Sequence, residues 1–527
     1  MKYIQGLNTE NCPILISQYA DDTSLMLDGT ETSLRESIDE LDKFAKISGL
    51  KINLTKTQII WIGSKKYSTD TFLHQHKLQW GKEKFTLLGI EFCVNLHQIP
   101  KLNFDKKLTK LKSLIKSWSR RTLTPIGKIH IIKSLLISQF NHLFISLPNP
   151  DEQFIKNLNS ILFNYLWNSS NDKIKREVII QQYADGGLKM VNLKAYIDSL
   201  KLSWIRRLYQ TTAKWQLILK SFVDVDLLTN TGSEYITMSI NTCKNKFWKD
   251  VLKAWVKLRD LDRDMTKDES LLKTPIWYNK YISIGKKSVF YKDWYKKGVY
   301  IVHNFIKNVD TNDFYTLEEF NYIYHVNANF LNFHGITAAI KKFLTPYNLT
   351  NLNLEYPMIP INIKIFLKST KGAKIFYNIL VKTDIIPTGR KKWDRMFNLD
   401  DKSWNRIYCT PFQVTKNTKL QWLQFRIVHH ILTTNSFLFK VNLVDSPLCT
   451  FCNAERETLI HTIWECREVQ QLLQSLENLL DSLFIAFHYN KQSFIFGLAT
   501  CTPLNRVDNE IIMLIKQYIY IQYKMLS

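Results

Sequence analysis

Two adjacent carboxylates set between two short apolar runs constrain this chain more than any other feature. Ile14, Leu15 and Ile16 lead into Tyr19-Ala20-Asp21-Asp22, and Leu25, Met26 and Leu27 lead out. Runs this short, separated by a polar tetrapeptide, predict two buried strands joined by a turn that presents Asp21 and Asp22 together. Neighbouring carboxylates repel one another, so a hairpin holding them side by side suits a divalent cation that offsets the charge. A solvated turn would also accept an Asp-Asp pair; the residues that follow favour the metal reading.

Downstream, Ser33 and Glu36 form a candidate capping box, and Leu34, Ile38, Leu41 and Ala45 recur at helical spacing. Lys43 and Lys46 fall near the end of that helix and Gly49 suits its C-terminal stop. Gln58-Ile59-Ile60-Trp61-Ile62 then reads as a strand. Strand, turn, strand, helix, strand is the order of a polymerase palm. The hairpin with Thr23, then Gly49-Leu50-Lys51-Ile52-Asn53, Lys56-Thr57 and Leu87-Leu88-Gly89-Ile90, resembles the reverse transcriptases of non-LTR, LINE-type retrotransposons. The resemblance continues through Trp118, Arg121, Leu123, Thr124, Gly127 and Lys128, then Asp185-Gly186-Gly187-Leu188, and into a C-terminal cysteine/histidine cluster. It is strong at both ends and weak between about 215 and 385.

The resemblance implies an RNA-directed DNA polymerase, a nucleotidyltransferase acting in target-primed reverse transcription, with an RNA template and a DNA target and primer as partners. Its chemistry needs carboxylates holding two Mg²⁺ about 3.5–4 Å apart, one ion activating the primer hydroxyl and the other supporting pyrophosphate. By this resemblance Asp21 is the stronger magnesium ligand, Asp22 assists, and Tyr19 packs near the primer terminus. Lys56 occupies the place of a lysine that can protonate pyrophosphate; a solvated loop lysine is the plainer reading of that residue. The third carboxylate of the family comes from an earlier strand. The segment before Ile14 contains no aspartate and one acidic residue, Glu10. The expectation is a fragment of a longer polyprotein, or a degenerate copy, inactive as a polymerase by itself.

Between about 101 and 145 the pattern becomes helical. Leu108, Leu111, Ile115 and Trp118 define an apolar face, with Lys106, Lys112, Lys116 and Arg120 on the other side. Thr124 caps and Pro125 opens a second helix that turns Ile129, Ile132, Leu136 and Phe140 inward and leaves Lys128 and Lys133 outward. The family's thumb has this character and tracks the template-primer duplex. Arg120, Arg121, Lys128 and Lys133 are therefore the candidate nucleic-acid contacts, Arg121 and Lys128 foremost because they match the family motif. Farther on, Lys246-Phe247-Trp248-Lys249 and Phe290-Tyr291-Lys292-Asp293-Trp294-Tyr295-Lys296-Lys297 interleave aromatics with lysines. They read as core anchors with solvated edges in preference to base-stacking platforms.

Cys449-x2-Cys452-x8-His461-x4-Cys466 supplies three thiolates and an imidazole, the ligand set of a closed tetrahedral Zn²⁺ site. His461 and Cys466 are five residues apart, a divergence of about 140° on a continuous helix, so a helix must begin or break between them. The other cysteines, Cys12, Cys93, Cys243, Cys409 and Cys501, are isolated, which argues against a disulfide framework. His429 and His430 read as surface or core residues, not ligands. LINE-type proteins carry a similar C-terminal knuckle.

The 527 residues hold 71 Lys and Arg against 47 Asp and Glu, a formal charge of +24, as expected of a protein that meets a phosphate backbone. No apolar run reaches the length of a membrane span and the N-terminus lacks a signal-peptide core, so the expectation is an intracellular chain without a membrane partner. The resemblance adds nucleus and cytoplasm, as a retrotransposon ribonucleoprotein. The fold class expected is α+β, mostly α. It comprises a truncated palm over 1–100, a helical thumb over 101–215, a helical connecting region over 216–385 and a C-terminal domain over 386–527 with its zinc knuckle at 449–466. A non-catalytic, domesticated RNA- or DNA-binding protein is the alternative. An intron-maturase-like protein would share the hairpin and basic thumb but not the Cys/Cys/His/Cys spacing.

Overall fold

The computed structural model describes residues 7–9, 12–76, 78–81, 83–210, 213, 215–261, 271–347, 372–381, 385–483, 487–498 and 503–526. Glu10 and Cys501 lie outside the described residues, as do the side chains of Cys12 and Ile14. The chain forms two compact units, each assembled from separated segments: 1–108 with 140–151 and 194–380, and 109–139 with 152–193 and 381–527.

The first unit opens with two antiparallel hairpins, β1 (Leu7–Thr9) with β2 (Cys12–Ile14) and β3 (Ile16–Tyr19) with β4 (Asp22–Leu25). In the second, Tyr19 pairs with Asp22, so Ala20 and Asp21 form the turn. The strands here were expected to be buried. Ile16 is instead 43% exposed, all of β3 is open to solvent, and Leu25, Met26 and Leu27 are half-buried. The reason is topological: β3 and β4 make a two-stranded sheet, and neither joins another strand among the described residues.

Helix α1 (Glu31–Ser48) follows with Ile38 buried and Leu34, Leu41 and Ala45 half-buried on one face. Its cap is Thr30, whose hydroxyl accepts from the Ser33 N–H, so the expected Ser33 cap shifts three residues earlier. Threonine there leaves the β-region conformation to the residue before the first helical turn. Gly49 closes the helix at φ 77°, a conformation glycine adopts without steric cost. A short parallel pair, β5 (Gln58–Ile59) with β6 (Gln79–Trp80), precedes the hairpin of β7 (Lys84–Leu87) and β8 (Ile90–Cys93). Both turn residues of that hairpin, Leu88 and Gly89, have positive φ, which matches the twist of the flanking strands.

Helix α2 (Ile99–Trp118) follows the expected wheel, with Leu108 and Leu111 buried and Lys106, Lys112 and Lys116 exposed. Phe104 packs on Phe144 at 5.4 Å. The remaining cores of this unit are aromatic. Trp204, Trp215, Phe247 and Trp248 contact one another edge-on or stacked, and Trp294 and Tyr295 are buried in a second cluster around Trp277 and Phe320. Trp248, Trp294 and Tyr295 thus serve as core anchors.

In the second unit, α3 (Pro125–Ile131) is capped by the Thr124 hydroxyl and does not continue regularly: residues Ile132–Ile137 form a π-helical turn. Ile129, Ile132 and Leu136 all point inward. In the first unit, α4 (Asn141–Ser146) precedes a return to the second unit through α5 (Glu152–Trp167) and α6 (Arg176–Ile180). The Asp185-Gly186-Gly187-Leu188 motif makes a turn after α6. Gly186 has φ 82°, and a Cβ on Gly187 would sit 2.0 Å from the Gln181 carbonyl oxygen, so backbone approach itself excludes a side chain. The C-terminal core gathers Trp393, Trp404, Ile407, Leu423, Ile427, Phe494, Ile512 and Ile519 around Cys449 and Cys466.

Candidate metal centre and the aspartate hairpin

The knuckle starts from backbone geometry. Leu448 and Arg456 form a single antiparallel bridge, the Cys449 N–H donates to the Glu455 carbonyl at 2.8 Å, and Asn453 takes a positive φ of 52°. These contacts curl residues 449–455 so that Cys449 and Cys452 face one point. His461 begins a π-helical turn, His461–Glu465, and Cys466 is the residue that caps the following helix, Arg467–Ser482. The break required by the five-residue spacing therefore lies between the two ligands.

One ligand atom from each of Cys449, Cys452, His461 and Cys466 lies within 4.8 Å of all the others. Cys449 Sγ and Cys466 Sγ are 3.9 Å apart, and Cys452 Sγ is 3.5 Å from His461 Nε2. A tetrahedron with Zn–S of about 2.3 Å and Zn–N of about 2.0 Å has edges of about 3.8 and 3.5 Å. The donor set fits zinc in size as well as kind. His461 is oriented by Glu455, whose carboxylate is 3.1 Å from Nδ1, leaving Nε2 toward the sulfurs. Backbone groups of Phe451 and Cys452 bond Cys449, those of Ala454 and Glu455 bond Cys452, and those of Glu468 and Val469 bond Cys466. Burial works to raise the Cys452 thiol, but these N–H groups and His461 bring it down to about 6, whereas burial pushes Cys449 up to about 12.

An outer layer that the sequence reading missed holds the knuckle. Glu457 is fully buried and accepts from the Asn435 and Thr450 N–H groups, the Thr450 hydroxyl and the Tyr523 hydroxyl. The only signal available in the sequence is a glutamate placed four residues before His461, between the two ligand pairs.

The aspartate hairpin is built differently. Ala20 at φ 53° makes the turn, a conformation costly for a residue with a side chain. Asp21 and Asp22 stand exposed beside it, and Tyr19 is 69% exposed. Among the described residues no third acidic group joins them at ligand distance. Two carboxylates are an incomplete donor set for a magnesium pair. Lys56 is exposed in a turn closed by Asn53, whose Oδ1 accepts from the Lys56 N–H at 3.2 Å and from the Thr55 hydroxyl at 2.6 Å.

Of the candidate phosphate contacts, Arg120, Arg121 and Lys133 are exposed. The Arg121 guanidinium lies 4.2 Å from the Trp118 ring centre, a stacking that fixes its plane. The Lys133 ammonium is held below the usual lysine range by desolvation and by Lys189. Lys128 corrects the expectation of an outward side chain. It is 4% exposed, and its ammonium donates to the Tyr165 carbonyl at 2.9 Å, the Leu166 carbonyl at 3.4 Å and Asn168 Oδ1 at 2.6 Å. The physical reason is that the last carbonyls of α5 have no intrahelical donors, and a cation there satisfies them and the helix dipole. His429 is a core residue: burial lowers its pKa to about 3, and it hydrogen-bonds the Gly186 backbone.

No helix among the described residues is long and apolar enough to cross a membrane. Comparison with known proteins gives two findings. Residues 1–92, which contain the aspartate hairpin, α1 and Lys56, match the family model described as reverse transcriptase (RNA-dependent DNA polymerase). Over 94% of its length the chain is 22% identical to the transposon TX1 uncharacterized 149 kDa protein of Xenopus laevis, and it spans 40% of that protein.

Proposed function

We propose that this chain is a segment of a retrotransposon reverse transcriptase, extending from the catalytic hairpin through the thumb to a zinc knuckle. The observation that carries the reading is the reverse transcriptase match over residues 1–92, with Asp21 and Asp22 at the apex of β3–β4 within it. Asp21 and Asp22 concentrate negative charge where a polymerase gathers magnesium; Tyr19 flanks the primer end and Lys56 serves the departing pyrophosphate. Magnesium would supply activation of the primer hydroxyl and charge neutralisation at the phosphates. Cys449, Cys452, His461 and Cys466 would hold one Zn²⁺ that fixes the C-terminal fold. Arg120, Arg121 and Lys133 are the exposed cations offered to the RNA template and DNA primer, within the basic charge of the whole chain. In domain terms the proposal keeps a partial palm over 1–100, a thumb over 101–215, a connecting region over 216–385 and the knuckle domain beyond.

The test is primer extension on an RNA template with Mg²⁺, using the chain joined to an upstream palm and fingers. Extension that disappears in Asp21→Asn is expected. Extension undiminished in Asp21→Asn would remove the hairpin from the active site. A second reading, a nucleic-acid-binding protein without polymerase activity, is favoured by the exposure of Asp21 and Asp22 and by the lack of a third carboxylate among the described residues. It would show as salt-dependent RNA and DNA binding with no synthesis in that same assay.

A further inference from the structure

The C-terminal helix, Pro503–Leu526, has two apolar faces. One is spent on its own unit. Ile512, Met513, Ile519 and Tyr523 are buried, and Lys516 among them donates to Gln424 Oε1 at 2.7 Å and the Ile495 carbonyl at 3.0 Å. The other face meets solvent. Leu504, Val507, Leu514, Tyr518, Ile521 and Met525 are each 41–74% exposed, and half-buried Ile511 completes their series. The intervals along 504, 507, 511, 514, 518, 521 and 525 alternate between three and four residues, the spacing of a coiled-coil seam. Single exposed apolar residues are ordinary on a protein surface, but a continuous stripe marks a covered surface.

Charge identifies what covers it. Glu510 flanks the seam near the start of the helix and Lys524 flanks the same side near its end. Among the described residues neither is in an ion pair, although the Lys524 ammonium lies 5.4 Å from the Tyr520 ring centre. A parallel second copy would put the two acidic ends together. An antiparallel copy, related by a two-fold axis level with Lys516, puts Glu510 beside Lys524 of the second copy twice, because Glu510, Gln517 and Lys524 each lie one residue before a seam position and antiparallel helices pair that flank with itself. That same register stacks Ile511 on Ile521, Leu514 on Tyr518 and Val507 on Met525 across the seam. Seam and charges thus select one arrangement, and the interface is self-complementary, as two-fold pairing demands.

We propose that this stripe is a self-association surface, through which two copies of the chain pair by their C-terminal helices, antiparallel. Light scattering and sedimentation equilibrium on the nuclease-treated chain test it. A concentration-dependent dimer is expected, converted to monomer by Leu514→Glu with Ile521→Glu while helicity by circular dichroism is kept. Glu510→Lys alone should weaken the dimer about tenfold, and Glu510→Lys with Lys524→Glu should restore it. This exchange keeps the fold's interior untouched, so it decides the matter even if the double glutamate variant unfolds. Gln517→Cys should give an inter-chain disulfide under a mild oxidant that the parent chain does not form. A parent chain that stays monomeric at all concentrations, or a charge exchange that fails to restore pairing, would overturn the proposal.

Discussion

The cysteine/histidine centre and the aspartate hairpin are both sites whose residue types call for a metal, yet they are constructed in opposite ways. At the C-terminus four donors converge within 4.8 Å, three of them buried, and Glu455 and Glu457 brace them from outside. At the hairpin two carboxylates stand in solvent on a two-stranded sheet, with a left-handed alanine as the local restraint. The difference lies in sequence distance. The knuckle draws its donors from one short stretch, so local backbone geometry can assemble it. The polymerase site proposed for the hairpin would draw its carboxylates from strands far apart in the chain, so a local turn would present only part of it.

This contrast is open to direct attack, and metal removal has the largest expected effect. A chelator, or Cys452→Ser, should destabilise residues 449–466 and the first turn of the following helix by more than about 3 kcal/mol, read by amide hydrogen exchange. A knuckle equally protected with and without metal would mean that the buried core, not the donor set, holds it.

The next effect separates metal from buried charge in the same domain. Lys516 is buried, and desolvation lowers its pKa from 10.5 to about 7. Between those values the unfolded chain retains a proton that the folded chain has released, so unfolding free energy should rise with pH across the window. The slope should approach about 1.4 kcal/mol per pH unit and be missing in Lys516→Met. Denaturant titrations of both proteins at pH 7 and 9 measure it; parallel behaviour would show that Lys516 keeps its charge inside.

The smallest effect is expected at the hairpin. Asp21→Asn and Asp22→Asn should each leave stability within about 0.5 kcal/mol of the parent, because both side chains are exposed. A large gain on neutralising either one would reveal repulsion stored in the fold, and the hairpin would then be as preorganised as the knuckle.

Periodicity made the packing of α2 and the inward face of α3 legible, and the five-residue interval made the break before Cys466 a geometric necessity. What misled was chemistry overriding period. Lys128, Ile132 and Leu136 are spaced at four residues and share one inward face. Charge alone places the lysine outward, although a lysine can reach carbonyls of a helix end distant in sequence. Strand propensity likewise identified β3 and β4 but held no information on which elements would cover them. Glu457 is not legible in the sequence because its partners, Asn435, Thr450 and Tyr523, are scattered along the chain.

The π-helical turn between His461 and Cys466 separates two properties of a protein segment that usually travel together, its length and its composition. Thr462, Ile463, Trp464 and Glu465 supply no donor atom to the cluster. Their number, however, sets the direction in which Cys466 faces, since one residue more or fewer turns a helical side chain by about 100°. Substitution within this interval is therefore a question of packing, but insertion or deletion is a question of whether the fourth ligand points at the cluster at all. Such a segment is read by counting.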